Sequence, residues 1–202
     1  GINLKIIQFA DYVTPNNALS NGDIDLNAFQ HRIFLENDAG SHNYDVKLIG
    51  NTFIIPLNLY SSKVKSVSEL TPGSIVAIPN DVTNGGRAYK VLAAAGLITL
   101  KASAGFNPTI DDIETNPSGI EIKELEAAQV PRVKDEVAFV VLNGNYALEA
   151  GLSVGQGSIA FEASDSEAAK TYVNIVAVKE GNENNEAVKA FLEKRKPEFK
   201  GK

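Results

Sequence analysis

The sequence contains no cysteine, no methionine and no tryptophan, and only two of its 202 residues are histidines. Without cysteine the chain cannot form a disulfide bond, use a thiol nucleophile or bind zinc through thiolates. His31 and His42 also lack the i, i+4 spacing of a helical metal-binding pair. These absences exclude disulfide scaffolds, thiol enzymes and cysteine-based zinc modules, and no cofactor is expected.

Positive charge and long apolar runs are scarce as well. Lysine and arginine number 19 against 25 acidic residues, which gives a formal net charge of −6. The basic cluster at 194–196 is typical of a solvated helix end, so nucleic acid is not an expected partner. No apolar run has the length of a membrane span, and no signal peptide is present. Because residues 4–9 already have a strand pattern, we expect that an N-terminal signal or anchor has been lost.

Strand and helix patterns alternate along a chain of ordinary globular composition, with 44% hydrophobic and 22% charged residues. Thr14 as N-cap with Pro15 at the first helical position is typical of a helix start, and Gly22 is typical of a helix end. The continuously apolar run 137–142 indicates a strand buried on both faces. The other strong elements are strands at 4–9 and 172–178 and a helix at 184–196. This alternation predicts an α/β architecture with mostly parallel sheets.

The stretch 78–88 has the pattern strand, turn, helix. An apolar strand at 74–78 stops at Pro79, and a helix is predicted at 87–95, ending at Gly96. Thr83 or Asn84 is the expected N-cap. Gly85 and Gly86 would expose backbone N–H groups, and Arg87 would complete a site for a carboxylate. The alternative is an ordinary helix start with a solvated arginine; neither a phosphate loop nor a dinucleotide fingerprint is present.

Polar and aromatic residues cluster at the predicted carboxyl ends of strands, where α/β sheets bind ligands. They are Tyr12, Phe29, His31, Asn80, Asn84, Arg87, Asn143 and Asn145. Asn174 is added to this set from inside the last strand, where asparagine is disfavoured. The set lacks a carboxylate dyad and a convincing nucleophile, so we expect binding and not catalysis. An arginine, several amides and aromatic rings suit a zwitterion with an apolar tail. Structural alternatives stay open: a packing role for His31, a core position for Phe29, and core hydrogen bonding for Asn174.

Five motifs carry a resemblance to a known family. They are residues 11–16 (DYVTPN), 27–31 (NAFQH), 78–88 (IPNDVTNGGRA), 145–152 (NYALEAGL) and 172–174 (YVN). Their sequences and order resemble the NlpA lipoprotein family, the methionine-binding lipoproteins of bacterial ABC importers. The resemblance implies an α/β periplasmic-binding-protein-like fold of type II, with two lobes and a ligand cleft. The lobes are predicted to comprise residues 1–62 with 168–202, and residues 63–167.

The resemblance also implies a function and roles for individual residues. The chain would capture L-methionine outside the cytoplasm and deliver it to an ABC transporter permease, attached to the membrane through a lipid anchor absent from this sequence. Arg87 would bind the ligand carboxylate beside Asn84, Asn145 and Asn174 would hold the polar groups, and Tyr12, Phe29 and His31 would complete the pocket. The family's opening strand, helix and lipid-bearing cysteine do not precede residue 4, so a shortened first lobe is expected. Alternative functions are binding of a methionine-containing dipeptide or another apolar amino acid, surface adhesion, and a small enzyme.

Overall fold

The structure, a computed structural model, describes residues 5–153, 158–162, 170–184, 188–189 and 193. Its helices are α1 (Thr14–Asn21), α2 (Arg32–His42), α3 (Val82–Ala94) and α4 (Gly144–Glu149). Its strands are β1 (Leu26–Asn27), β2 (Val46–Ile54), β3 (Asn58–Tyr60), β4 (Ile75–Pro79), β5 (Thr99–Leu100), β6 (Ile113–Thr115), β7 (Glu121–Leu125), β8 (Phe139–Leu142), β9 (Ser158–Phe161) and β10 (Val173–Lys179). Short 3-10 turns lie at Val67–Glu69, Ile110–Asp112 and Val130–Val133.

The chain divides into two compact units, each built on its own sheet. The first comprises the described residues of Gly1–Phe53 and Val173–Lys202, and the second those of Ile54–Tyr172. The sequence placed the two boundaries at 62/63 and 167/168, whereas the structure places them at 53/54 and 172/173. The first boundary differs because β3 pairs with β8 and β9 and therefore belongs to the second unit.

In the first unit, α1 and α2 pack on a three-stranded sheet of order β1-β10-β2. Leu19 of α1, Leu35 of α2 and Ile175 of β10 meet in its core. The predicted end of α1 is confirmed, since Gly22 ends the helix with a left-handed φ of 84°. The predicted N-cap is wrong, because Val13 holds that position and Thr14 is already the first helical residue. The start of α1 is held by Asp11, whose carboxylate accepts bonds from the Thr14 backbone and hydroxyl. The bond from the Thr14 N–H contributes most to lowering the pKa of Asp11, so this carboxylate stays ionised.

The predicted strand at 4–9 is wrong over its described part. Residues 5–9 adopt no strand, and the Ile6 side chain is 83% exposed. A strand requires a hydrogen-bonded partner, and no described residue pairs with this segment. Its apolar pattern therefore records the preference of Ile6 and Ile7 for extended backbone, without the pairing that makes a strand.

The second unit contains a five-stranded sheet of order β7-β4-β8-β3-β9. β4 runs parallel to β7 and β8, but β3 runs antiparallel to β8 and β9. The sheet is thus mixed, and the expectation of mostly parallel strands is wrong for it. Along β8, Phe139 and Val141 pack in one core while Val140 and Leu142 pack in another. This confirms the prediction of a strand buried on both faces.

Helix α3 begins earlier than the sequence predicted. It starts at Val82 with Asp81 as N-cap, so neither Thr83 nor Asn84 caps it, and both glycines lie inside the helix. A Cβ on Gly85 would lie 3.0 Å from the Pro79 carbonyl oxygen, and one on Gly86 would lie 2.7 Å from the Asn107 Cα. The glycines therefore permit close packing of β4 and the 101–108 loop on α3.

The predicted helix at 184–196 lies largely outside the described residues. Among the residues that the structure does describe, no helix is both long and apolar enough to cross a membrane.

The packing at Gly86 yields a stability prediction. Gly86→Ala should lower the free energy of unfolding by about 1–3 kcal/mol, because the new methyl group overlaps the backbone of Asn107. Urea unfolding followed by circular dichroism measures the change. Gly40→Ala is the matched control, since this glycine of α2 has open space around it. It should stabilise the protein by about 0.5–1 kcal/mol through helix propensity. A Gly86→Ala protein as stable as the control would contradict the close approach of the loop to α3.

Candidate functional site

The predicted site residues fall in both units. Tyr12, Phe29, His31 and Asn174 lie in the first unit, and Asn84, Arg87 and Asn145 lie in the second. The two groups differ in chemistry: the first is mainly aromatic, and the second holds the arginine.

In the first unit, Tyr12, Phe29 and Phe34 form an aromatic group. The Tyr12 and Phe29 ring centroids are 5.8 Å apart, and Phe34 lies 6.0 Å from Tyr12 and 6.1 Å from Phe29. Phe34 is 9% exposed, whereas Tyr12 and Phe29 are only half-buried. The buried Phe34 thus packs against both rings. Tyr12 and Phe29 present apolar surface that could cover a ligand's side chain.

His31 is the N-cap of α2. Its Nδ1 accepts a hydrogen bond from the Phe34 backbone N–H at 3.1 Å, and the residue is 5% exposed. In the neutral ring this bond leaves the proton on Nε2, which makes that nitrogen a donor. His31 therefore has the structural role that the sequence left open. Its Nδ1 hydrogen bond caps α2, and its ring packs edge-on against Phe34.

A buried network of amides fixes the segment that carries Phe29 and His31. Asn16 donates to the Gln30 side-chain oxygen and to the Asp38 carboxylate, both at 2.8 Å. Gln30 donates back to the Asn16 oxygen at 2.7 Å and to Asn27 at 3.0 Å. Asn16 and Gln30 are 0% and 3% exposed, so these bonds form away from water and hold the segment against α1 and α2.

Asn174 lies beside His31, through an antiparallel bridge between the two backbones. The next residue, Ile175, donates its N–H to the Gln30 carbonyl at 2.8 Å. The Asn174 side chain is partly exposed and makes no recorded hydrogen bond to any residue that the structure describes. The side-chain amide of Asn174 thus differs from those of Asn16 and Gln30, which hydrogen-bond to other described side chains.

In the second unit, Arg87 forms a buried ion pair with Glu162. The Arg87 Nε lies 3.0 and 3.1 Å from the two carboxylate oxygens, and Nη2 also donates to Glu162. The two side chains are 3% and 11% exposed. This side-on arrangement of guanidinium and carboxylate is the geometry of a strong, charge-assisted ion pair. The sequence did not predict Glu162, which lies 75 residues from Arg87 in the chain.

The Arg87 guanidinium has two further contacts. Its Nη2 donates to the Ile55 carbonyl at 3.0 Å, and its central carbon lies 4.2 Å from the centroid of the Tyr172 ring. Glu162 and Ile55 engage Nε and Nη2, and none of these bonds uses Nη1. One end of a rigid, buried cation therefore keeps its capacity to donate to a ligand anion.

The N-terminus of α3 is capped by the protein's own carboxylate. Asp81 accepts from the Asn84 N–H at 2.9 Å, from the Thr83 hydroxyl at 3.0 Å, and from the Asn84 side chain. The Asn84 oxygen in turn accepts from the Asn143 side chain at 2.9 Å. The Asn84 N–H is thus taken by the Asp81 carboxylate, and the Gly85 N–H donates to the Asp81 carbonyl oxygen at 2.7 Å. Binding of a ligand carboxylate at this turn stays a prediction. Asn84 ties α3 to the end of β8.

Two asparagines follow β8. The buried Oδ1 of Asn143 has no hydrogen-bond partner among the described residues, which leaves an acceptor beside Asn84. Asn145 is a partly exposed residue of the short helix α4. That helix packs closely on the chain before β3, since a Cβ on Gly144 would overlap Ile55 Cγ2.

Two features of the second unit were not predicted as parts of the site. Glu162 and Tyr172 complete the surroundings of Arg87, and each is distant from it in the chain. Tyr172 lies in one of the resemblance motifs, which was the only signal for it. No group of three or more histidine, cysteine, aspartate or glutamate side chains in the described ranges could hold a metal ion.

Comparison with known proteins places these features in a family. The sequence profile described as NlpA lipoprotein matches residues 1–200. The chain belongs to the NlpA lipoprotein family. The D-methionine-binding lipoprotein MetQ of Escherichia coli O157:H7 is 44% identical to it over 195 residues, which are 96% of this chain and 70% of that protein.

Solved structures show the same likeness for this NlpA-family chain. A lipoprotein from Ruminococcus gnavus is 50% identical with a TM-score of 0.91, covering 96% of this chain and 79% of that one. A nutrient binding protein from Burkholderia cenocepacia, solved bound to methionine, is 41% identical with a TM-score of 0.87, covering 95% and 79%. The NlpA-family chain thus has a two-lobed, α/β periplasmic-binding-protein-like fold, and the predicted fold class and family are confirmed.

The buried ion pair yields a second stability prediction. Glu162→Gln should lower the free energy of unfolding by about 3 kcal/mol, because it leaves the buried Arg87 charge without its partner. Glu36→Gln is the control, since Glu36 forms an exposed i, i+4 pair with Arg32 that should contribute little. Equal unfolding midpoints for the two variants in urea would show that the Arg87–Glu162 pair does not stabilise the second unit.

Proposed function

We propose that this NlpA-family chain is an extracytoplasmic solute-binding lipoprotein that captures methionine and delivers it to an ABC transporter permease. Two kinds of observation support the proposal. One relative is named a D-methionine-binding lipoprotein, and a structural neighbour was solved bound to methionine. The observation in this chain that carries the proposal is the buried Arg87, whose Nε and Nη2 are held by Glu162 and Ile55 while its Nη1 bonds to none of the described residues.

The charge balance around Arg87 fits a zwitterionic ligand. Arg87 and Glu162 form a pair with no net charge, so an amino acid with one carboxylate and one ammonium adds no net charge to it. In our proposal the ligand carboxylate accepts from Nη1 of Arg87. Asn145, Asn174 and the orphaned Oδ1 of Asn143 are the candidate partners for the remaining polar groups.

The apolar part of methionine would contact the half-buried rings of Tyr12 and Phe29. A thioether packs favourably against aromatic rings, so these side chains suit methionine in particular. His31 would donate from Nε2 while its Nδ1 remains bonded to Phe34. Asn84 would act on the ligand through Arg87, by fixing the start of α3 to β8.

Capture and delivery of a ligand require no catalytic step. In this proposal, membrane attachment would come from a lipid anchor outside this sequence. The relative's name specifies D-methionine, whereas the neighbour's description does not give the enantiomer. Calorimetric titration with L-methionine, D-methionine, glycyl-methionine and leucine separates these ligands. Binding of the dipeptide alone, or of leucine as tightly as methionine, would replace methionine by another ligand, and no heat with any of the four would contradict the proposal.

Substitution of Arg87 tests its role in binding. Arg87→Gln should weaken methionine binding by about 1.5–3 kcal/mol, because a charged hydrogen bond to the carboxylate is lost. Arg32→Gln is the matched control, since the Arg32 side chain is 68% exposed and forms an i, i+4 pair with Glu36 along α2. Asn174→Ala provides a second test that leaves the ion pair intact, and it should weaken binding by about 1 kcal/mol. Wild-type affinity in both Arg87→Gln and Asn174→Ala would remove these residues from the site.

A further inference from the structure

A second cation lies near the ring that supports Arg87. Lys90 follows Arg87 by three residues on α3, and its Nζ lies 3.8 Å from the centroid of the Phe106 ring. The same ammonium lies 6.0 Å from the Tyr172 ring and 3.4 Å from the Tyr172 hydroxyl oxygen. The Phe106 and Tyr172 rings are themselves 6.0 Å apart. Phe106, Lys90, Tyr172 and Arg87 thus form one continuous group of rings and cations, which we call the aromatic–cation group.

The contacts of Arg87 show why this group affects its orientation. Glu162 holds one edge of the guanidinium, and the Ile55 carbonyl holds one end. Both contacts are made by Nε and Nη2. The Tyr172 ring adds a contact on the guanidinium carbon at 4.2 Å, so its position further restricts rotation of the guanidinium about those two nitrogens.

Tyr172 is itself fixed by the other members of the group. The residue is 1% exposed, and burial raises the pKa of its hydroxyl to about 12. It therefore stays neutral at physiological pH and can lie near two cations. The Lys90 ammonium touches its hydroxyl group, and Phe106 closes the other side of that ammonium while remaining 49% exposed.

Placing the Lys90 ammonium here costs part of its hydration. Burial is the largest cause that lowers the pKa of Lys90, and the nearby Arg87 charge lowers it further, while Glu162 acts in the opposite direction. A lysine that served only to solvate a helix surface would point away from both the rings and Arg87. The two rings offer this cation the electron-rich faces that offset its loss of water.

We propose that Tyr172, Lys90 and Phe106 are positioning residues that set the plane of the Arg87 guanidinium, and through it the direction of Nη1 toward a ligand carboxylate. The inference rests on the proposed function for its effect on binding. The orientation of Arg87 itself can be measured without any ligand. The alternative is that the aromatic–cation group only stabilises α3 and the 101–108 loop.

The first experiment compares two ligands across variants by calorimetry. Tyr172→Leu removes the ring and should weaken L-methionine binding about tenfold, whereas Tyr172→Phe keeps the ring and should restore most of the affinity. Lys90→Met keeps the apolar stem and should weaken binding several-fold. L-Methioninol lacks the carboxylate, so neither Tyr172→Leu nor Lys90→Met should change its affinity. Lys65→Met, an exposed lysine of the same unit, is the charge control and should bind like the wild type.

Several outcomes would overturn the inference. Equal losses for methionine and methioninol would show a general structural role, and wild-type methionine affinity in Tyr172→Leu would show no role. The Arg87→Gln background provides a further check: Tyr172→Leu should cause no additional loss there, because the group that it orients is gone. Full additivity of the two substitutions would contradict positioning.

The second experiment observes Arg87 directly and separates this inference from the proposed function. The Arg87 Nε–H resonance, assigned by its loss in Arg87→Gln, is followed by ¹⁵N–¹H NMR without ligand. Its one-bond ¹⁵N–¹H residual dipolar coupling reports the direction of the N–H bond, whereas its chemical shift changes with the loss of a nearby ring or charge alone. This coupling should change in Tyr172→Leu and in Lys90→Met but not in Lys65→Met. If the wild type binds no methionine, the proposed function fails while the changed coupling still supports positioning. An unchanged coupling in both variants overturns the inference whatever the ligand results.

Discussion

The second unit depends on the ion pair between Arg87 and Glu162. Burying two charges is costly unless each finds nearly all of its hydrogen bonds, and here the partners come from separate parts of the chain. Glu162 follows β9, Arg87 lies on α3, and Ile55 precedes β3. The backbones around the pair are joined too, since the Glu162 N–H donates to the Leu57 carbonyl at 3.1 Å. The pair therefore fixes the edge of the five-stranded sheet to the helix that carries the arginine.

Under the proposed function, this ion pair explains how a buried arginine would bind a ligand. An isolated guanidinium in an apolar surrounding would bind any anion, including solvent ions, and would destabilise the fold when empty. With Glu162 in place the cation is already neutralised, so the site can stay empty without an unpaired buried charge. A ligand anion then competes only for the end of the guanidinium that Glu162 does not use.

Elements that depend on a few adjacent residues were predicted well from the sequence. Contacts between residues far apart in the chain could not be predicted. The end of α1 at Gly22 and the buried strand β8 each follow from a few adjacent residues, and the structure has both. The strand predicted at 4–9 failed because pairing depends on a partner elsewhere. The start of α3 was misplaced because Asp81, Thr83 and Asn84 are all good caps, and only the fold selects Asp81. Glu162 gave no signal at all, since a single glutamate 75 residues from Arg87 has no recognisable spacing.

The site residues show the same limit in chemical terms. A polar residue at a strand end can affect a ligand by touching it or by holding the backbone around it, and the sequence does not distinguish the two. Hydrogen-bonding capacity does. The nitrogen and the oxygen of the Asn84 side-chain amide both have protein partners, and His31 uses Nδ1 to cap α2. Arg87 keeps Nη1, and Asn174 makes no recorded side-chain bond in the described part of the chain. Arg87 and Asn174 therefore keep hydrogen-bonding capacity that a ligand could use. Asn84 and the Nδ1 atom of His31 instead hold the backbone around the proposed site.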